Sequence, residues 1–123
     1  MTSKLHIDGS TLRWKDPEGR LHRDQDKPAV VHANGDMYWY QHGKCHRDND
    51  LPAIISSDGY KSWHQHGKLH REQDLPAIIS SDGYESWWQH GKLHRDEDKP
   101  AVIRANGDKS WYQHDKFIRS EPV

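Results

Sequence analysis

Apolar residues in this chain come in short runs, each cut by glycine, proline or acidic residues before a longer pattern can develop. Pro76-Ala77-Ile78-Ile79 gives way to Ser80-Ser81-Asp82-Gly83; Tyr84 and the pair Trp87-Trp88 follow, then His90-Gly91 and a lone Leu93. No stretch keeps apolar positions at the 3.6-residue period of an amphipathic helix, whereas β-prone segments bounded by turn residues recur throughout. The pattern predicts an all-β fold: a repetitive antiparallel β-meander of hairpin repeats, with two main strands per unit in one curved or twisted sheet layer.

The pattern is periodic. Trp39, Trp63, Trp87 and Trp111 stand 24 residues apart. Pro28, Pro52, Pro76 and Pro100, each followed by alanine, keep the same step, as do Gly35, Gly59, Gly83 and Gly107. The two central copies, 51–74 and 75–98, differ only at Lys61/Glu85, His64/Trp88, Glu72/Asp96 and Gln73/Glu97. A period of this size marks stacked units that contact mainly their neighbours. Residues 1–123 therefore form one repeat domain, with a degenerate first unit (5–26), repeats at 27–50, 51–74 and 75–98, and a degenerate last unit (99–119). In the first, Asp16-Pro17 interrupts; in the last, Asp115 and Ile118 replace the expected glycine and histidine.

Each unit carries two turn signals. Asn34-Gly35, Asp58-Gly59, Asp82-Gly83 and Asn106-Gly107 are Asx-Gly pairs, in which both residues tolerate positive φ. His42-Gly43, His66-Gly67 and His90-Gly91 form the second set. A two-residue loop at His90-Gly91 would pair Trp88 with Leu93; a three-residue loop, Gln89-His90-Gly91, would pair Trp87 with Leu93. The three-residue loop is favoured, since it joins two recurring apolar positions on one face. The repeating tryptophans and turn glycines are read as structural. The following position varies as Tyr40, His64, Trp88 and Tyr112, and is the better place to look for partner specificity.

Composition narrows the picture. Only 32% of residues are hydrophobic, against about 45–50% in an average domain, so the core must be thin and rely on six Trp and five Tyr. Eighteen basic against nineteen acidic residues argue against general nucleic-acid binding. No apolar run is long enough for a membrane span, and no signal-peptide core opens the chain, so a soluble, cytoplasmic protein is expected. Cys45 stands where other copies have leucine and reads as a small apolar substitute.

The recurring W-x-Q-H-G-K-L-H-R, followed by P-A-[IV]-[IV] and [DN]-G, resembles the variant form of the membrane occupation and recognition nexus (MORN) repeat over Gly9 to Lys116. The match lies in the tryptophan, turn glycine and lysine; the glycine-rich stretch of the standard repeat is replaced here by Leu-His-Arg and an acidic-proline loop. The resemblance implies a curved sheet of hairpins serving as a binding or scaffolding surface.

Eleven histidines invite a metal reading, because His42/His46, His66/His70 and His90/His94 each show an H-x3-H spacing. On a helix that spacing would place both rings on one face, but Gly-Lys marks a turn between them, so no metal site and no cofactor is expected. Nor is there a nucleophile elbow, and no catalytic residue is assigned. Arg47, Arg71 and Arg95, with His46, His70 and His94, would suit a small anionic ligand such as a nucleotide. Against that, Asp26, Asp50, Asp74 and Asp98 follow Arg23, Arg47, Arg71 and Arg95 three residues later, and an Arg–Asp pair would staple the loop. Protonating the histidines would carry the net charge from −1 to strongly positive and loosen the stack. The expected function is a non-catalytic scaffold that binds a protein partner or itself, as a dimer or other homo-oligomer through open sheet edges; sequestration of a small anion is the alternative.

Overall fold

The computed structural model describes residues 2–123. The fold is all-β. A terminal hairpin, β1 (Lys4–Asp8) and β2 (Thr11–Lys15), opens the array. The next unit supplies β3 (Val30–Val31), β4 (Met37–Tyr38), β5 (Tyr40–Gln41) and β6 (Lys44–Cys45). The two central copies supply β7 (Ile54–Ile55), β8 (Lys61–Ser62), β9 (His64–Gln65) and β10 (Lys68–Leu69), then β11 (Ile78–Ile79), β12 (Glu85–Ser86), β13 (Trp88–Gln89) and β14 (Lys92–Leu93). The last unit ends with β15 (Val102–Ile103), β16 (Lys109–Gln113) and β17 (Lys116–Glu121).

Each full unit thus has four short strands rather than the two main strands expected. Its first two join an 11-stranded antiparallel sheet ordered β1-β2-β3-β4-β7-β8-β11-β12-β15-β16-β17; its last two form a separate hairpin, β5-β6, β9-β10 or β13-β14. Tryptophan is the passage between them. The Trp87 N–H donates across the long sheet to the Ala101 carbonyl (2.8 Å), while its carbonyl accepts from His94 in the hairpin (3.1 Å). One backbone residue therefore serves both sheets. In β2 and β16 the break disappears, and the strand runs through Trp14 or Trp111.

Turn chemistry explains the alternation, and it reverses the expected assignment. The His-Gly loops have two residues, not three: Trp88 pairs with Leu93 and Gln89 with Lys92. His90 (φ 52°) and Gly91 (φ 82°) are both left-handed, the signature of a type I′ turn whose twist matches the flanking strands. The Asx-Gly loops take the three-residue form. Only Gly83 there has positive φ (100°); its N–H donates to the Ser80 carbonyl, and the Ser80 N–H closes the hairpin onto Tyr84. Asp82 instead caps the turn by accepting the Tyr84 N–H through its carboxylate (3.0 Å). Histidine also tolerates the left-handed region, so the two-residue turn falls at His-Gly, while at Asx-Gly only the glycine is left-handed.

The interior is narrow. Ala77 and Ser86 are fully buried, and Trp39, Trp63, Trp87 and Trp111 are 6–7% exposed. Among the described residues no buried side-chain polar atom lacks a hydrogen-bond partner, and no helix is long and apolar enough to cross a membrane. Truncating a buried aromatic removes both its transfer energy and its packing. Trp87→Ala should therefore cost about 3–5 kcal/mol in chemical denaturation, and a near-neutral result would place the ring outside the core.

Candidate functional site

The junction between successive units is built from a buried histidine. His70 accepts the backbone N–H of His90 on Nδ1 (3.0 Å), so its ring proton lies on Nε2, which meets the Glu72 carboxylate at 2.6 Å. The same arrangement recurs as Asp24–His22–His42, Asp48–His46–His66 and Asp96–His94–His114. Each buried ring also packs against the turn histidine of the next unit, with centroids 4.2–4.6 Å apart. Two positive-φ residues place the turn N–H; the carboxylate two residues on fixes the tautomer. Among the described residues no group of three or more His, Cys, Asp or Glu is arranged to hold a metal ion.

Arginine ties three units together. Arg95 makes a two-point contact with Asp74 of the preceding unit, through Nε (2.9 Å) and a terminal nitrogen (3.3 Å). It also donates to the Pro100 carbonyl of the following unit (3.1 Å) and lies 3.8 Å from the ring centroid of its own Trp87. Arg47 and Arg71 repeat the pattern with Asp26 and Asp50. The expected loop staple is thus corrected: the partner lies 21 residues back, not three ahead. Within the loop, Gln73 (φ 64°) and Asp74 (φ 55°) are both left-handed, a costly pair for non-glycine residues. The geometry turns the Asp74 carbonyl to Trp87 Nε1 (3.0 Å) and its carboxylate to Arg95. The guanidinium forks considered for an anionic ligand are therefore occupied, and the tryptophan faces they cover are not open stacking platforms.

The variable positions share another face. Tyr40, His64, Trp88 and Tyr112 are half-buried and pair across their hairpins with Cys45, Leu69, Leu93 and Phe117. Burial pushes the Cys45 thiol up to about 12. Trp88 Nε1 donates to the buried Ser86 hydroxyl (2.8 Å); in the preceding unit His64 Nε2 lies 2.9 Å from the equivalent Ser62. Burial pushes the His64 imidazole down to about 4.

The ends depart from the pattern. Asp16, buried in the first unit, accepts from the Glu18 and Arg20 N–H groups, the Arg20 side chain and His42. Its burial opposes ionisation, but the Arg20 N–H, His42, the Arg20 side chain and the Glu18 N–H together lower its pKa to about 2. In the last unit, Asp115 (φ 73°) takes the turn glycine's place and Ile118 the buried histidine's, so the histidine series stops.

A furrow runs along the hairpin row. One segment of about 670 Å³ is lined by Lys44, Lys68, His66, His90, Gln65 and Glu72, with other residues of the first two of these three units. The next, about 610 Å³, shares Lys44 and His66 and adds Arg20, His42 and Asp48. The lysines escaped the sequence reading because each is one residue of a turn motif taken as structural; the signal was their recurrence beside the turn tip. Comparison with protein-family models, with curated proteins and with solved structures finds no match for this chain.

Two expectations follow. In His70→Phe the His90 N–H loses its acceptor, which should lower unfolding free energy by about 1–3 kcal/mol in urea titrations; unchanged stability would remove the junction bond from the energetics. His64, depressed from 6.5 to about 4, binds its proton more weakly folded than unfolded, so its contribution is full above pH 6.5 and is lost as pH falls toward 4. Tyrosine occupies the equivalent position at Tyr40 and Tyr112. His64→Tyr should therefore flatten the fall in denaturation midpoint between pH 6.5 and 4, and an unaltered slope would contradict this.

Proposed function

We propose that the chain is a non-catalytic repeat scaffold, built of MORN-like units, that associates with copies of itself through its terminal strands. The carrying observation is where large apolar side chains reach solvent. Ile7 (68%) and Leu5 (43%) lie on β1, and Phe117 (59%) and Ile118 (51%) on β17. The other exposed large hydrophobics among the described residues are Leu51, at 36%, and Val123. The two outer strands, with five and six residues, also exceed the two-residue strands of the central units. A long strand with unpaired backbone groups and apolar side chains is a template for a further strand. Ile118 adds to the argument, because its interior counterparts are histidines that receive the next unit's N–H. Enzymatic use is disfavoured by the near-identity of the units, since catalysis seldom needs four copies of one site.

The wild-type protein should form a dimer or larger assembly whose mass, measured by light scattering, rises with concentration. Ile7→Lys with Phe117→Lys should give a monomer of unchanged melting temperature. A wild type that stays monomeric at its highest soluble concentration would overturn the reading.

A further inference from the structure

The furrow of the hairpin row presents cations that nothing in the fold neutralises. Lys44, Lys68 and Lys92 occupy the same position in successive hairpins. Among the described residues none of the three forms an ion pair, whereas the equivalent Arg20 of the first unit is held by Asp16 and Glu18. Their stems are ordered by packing. A Cβ placed on Gly67 would lie 3.6 Å from the Lys44 Cβ, and one on Gly91 3.5 Å from the Lys68 Cβ. The Lys44 and Lys68 stems therefore lie over the bare turn glycine of the next unit, while Asp115 takes that place beyond Lys92, and all three ammonium groups remain in water. Of the carboxylates lining this furrow, Asp50 is bound by the Arg71 guanidinium, whereas Glu72 and Asp48 are held by single hydrogen bonds from the imidazoles of His70 and His46 rather than by a cation. The turn histidines His66 and His90 complete the bank, and their ring nitrogens carry no hydrogen bond within the described residues.

We infer that this furrow, with the third hairpin beyond it, binds an acidic peptide in the polyproline II conformation, with carboxylates on every third residue meeting Lys44 and Lys68 in the furrow and Lys92 on the next hairpin. Spacing carries the choice. Each unit adds two strands to the long sheet, so equivalent lysines repeat at roughly 10 Å, twice the 4.7–4.9 Å between neighbouring strands. A peptide in the polyproline II conformation has three residues per turn and advances about 3.1 Å per residue, so every third side chain returns to the same face roughly 9 Å on, in step with a lysine. The turn histidines lie between the lysines, where their free nitrogens can bond the peptide backbone or polar side chains. A single nucleic-acid strand fits less well, because binding without sequence preference relies on bare aromatic faces, and Trp63 and Trp87 lie under Arg71 and Arg95. The inference extends the scaffold reading to a surface separate from the terminal strands.

The test is fluorescence anisotropy with a labelled peptide of about a dozen residues carrying glutamate at every third position. Binding should weaken with added salt. Lys44→Gln with Lys68→Gln and Lys92→Gln should lower affinity by roughly tenfold or more. That variant should keep the wild-type melting temperature and the wild-type mass by light scattering, which separates this site from self-association. No binding of the peptide would overturn the inference. So would equal affinity for a peptide of the same composition with clustered glutamates, or for an oligouridine, since either would reduce the furrow to a general polyanion surface.

Discussion

No unit of this protein can satisfy its own polar groups, and that constraint governs the fold. A 24-residue segment with a single conserved tryptophan has too little apolar surface to form a core alone. It must also find partners for a buried indole, a buried imidazole, a buried turn N–H and a guanidinium. The third repeat illustrates how. Trp87 Nε1 bonds Asp74, Gln89 bonds the Arg71 carbonyl, the His90 N–H meets His70, the Gly91 N–H meets the Leu69 carbonyl, and Arg95 grips Asp74. All five partners belong to the preceding unit. Stability resides at junctions, as expected for a one-dimensional array.

The same constraint explains why strained backbone is retained. The consecutive left-handed residues at Asn49-Asp50, Gln73-Asp74 and Glu97-Asp98 contain no glycine, which would adopt the conformation freely. An aspartate is required instead because its carbonyl and its carboxylate both serve the next unit. At the His-Gly turn the requirement differs. The glycine there answers a left-handed φ of 82–86° rather than a lack of space, since a Cβ would meet the overlying stem at ordinary contact distance, and the histidine must expose its N–H to the neighbour's imidazole. Local strain is here the local cost of a long-range bond.

The all-β meander and its period were legible in the sequence, because both depend on residue spacing and on local turn chemistry. Much of the junction was not. Arg95 and Asp98 are three residues apart and look like a pair, yet Arg95 reaches Asp74, since stacking brings residues about one period apart into contact. The His-Gly loop was misassigned for a related reason. Matching Trp87 with Leu93 assumed that recurring apolar residues share a face, whereas Trp87 is the passage between two sheets and Leu93 belongs to the hairpin. His70 stands in the sequence as a candidate for a small anionic ligand because nothing local reveals an acceptor for an N–H 20 residues away.

The five junction bonds also run one way. In each of these five the later unit supplies the donor and the earlier unit the acceptor, whereas the Arg71 N–H to the Trp88 carbonyl (3.4 Å) and the Arg95 bond to Pro100 run the other way, so the two sides of a unit are not interchangeable. The acceptor side of one unit therefore fits the donor side of another, with Asp16 as the first side-chain acceptor of the series and Ile118 where the buried histidines stop. Elongation by one further 24-residue segment before that terminus would need no new chemistry.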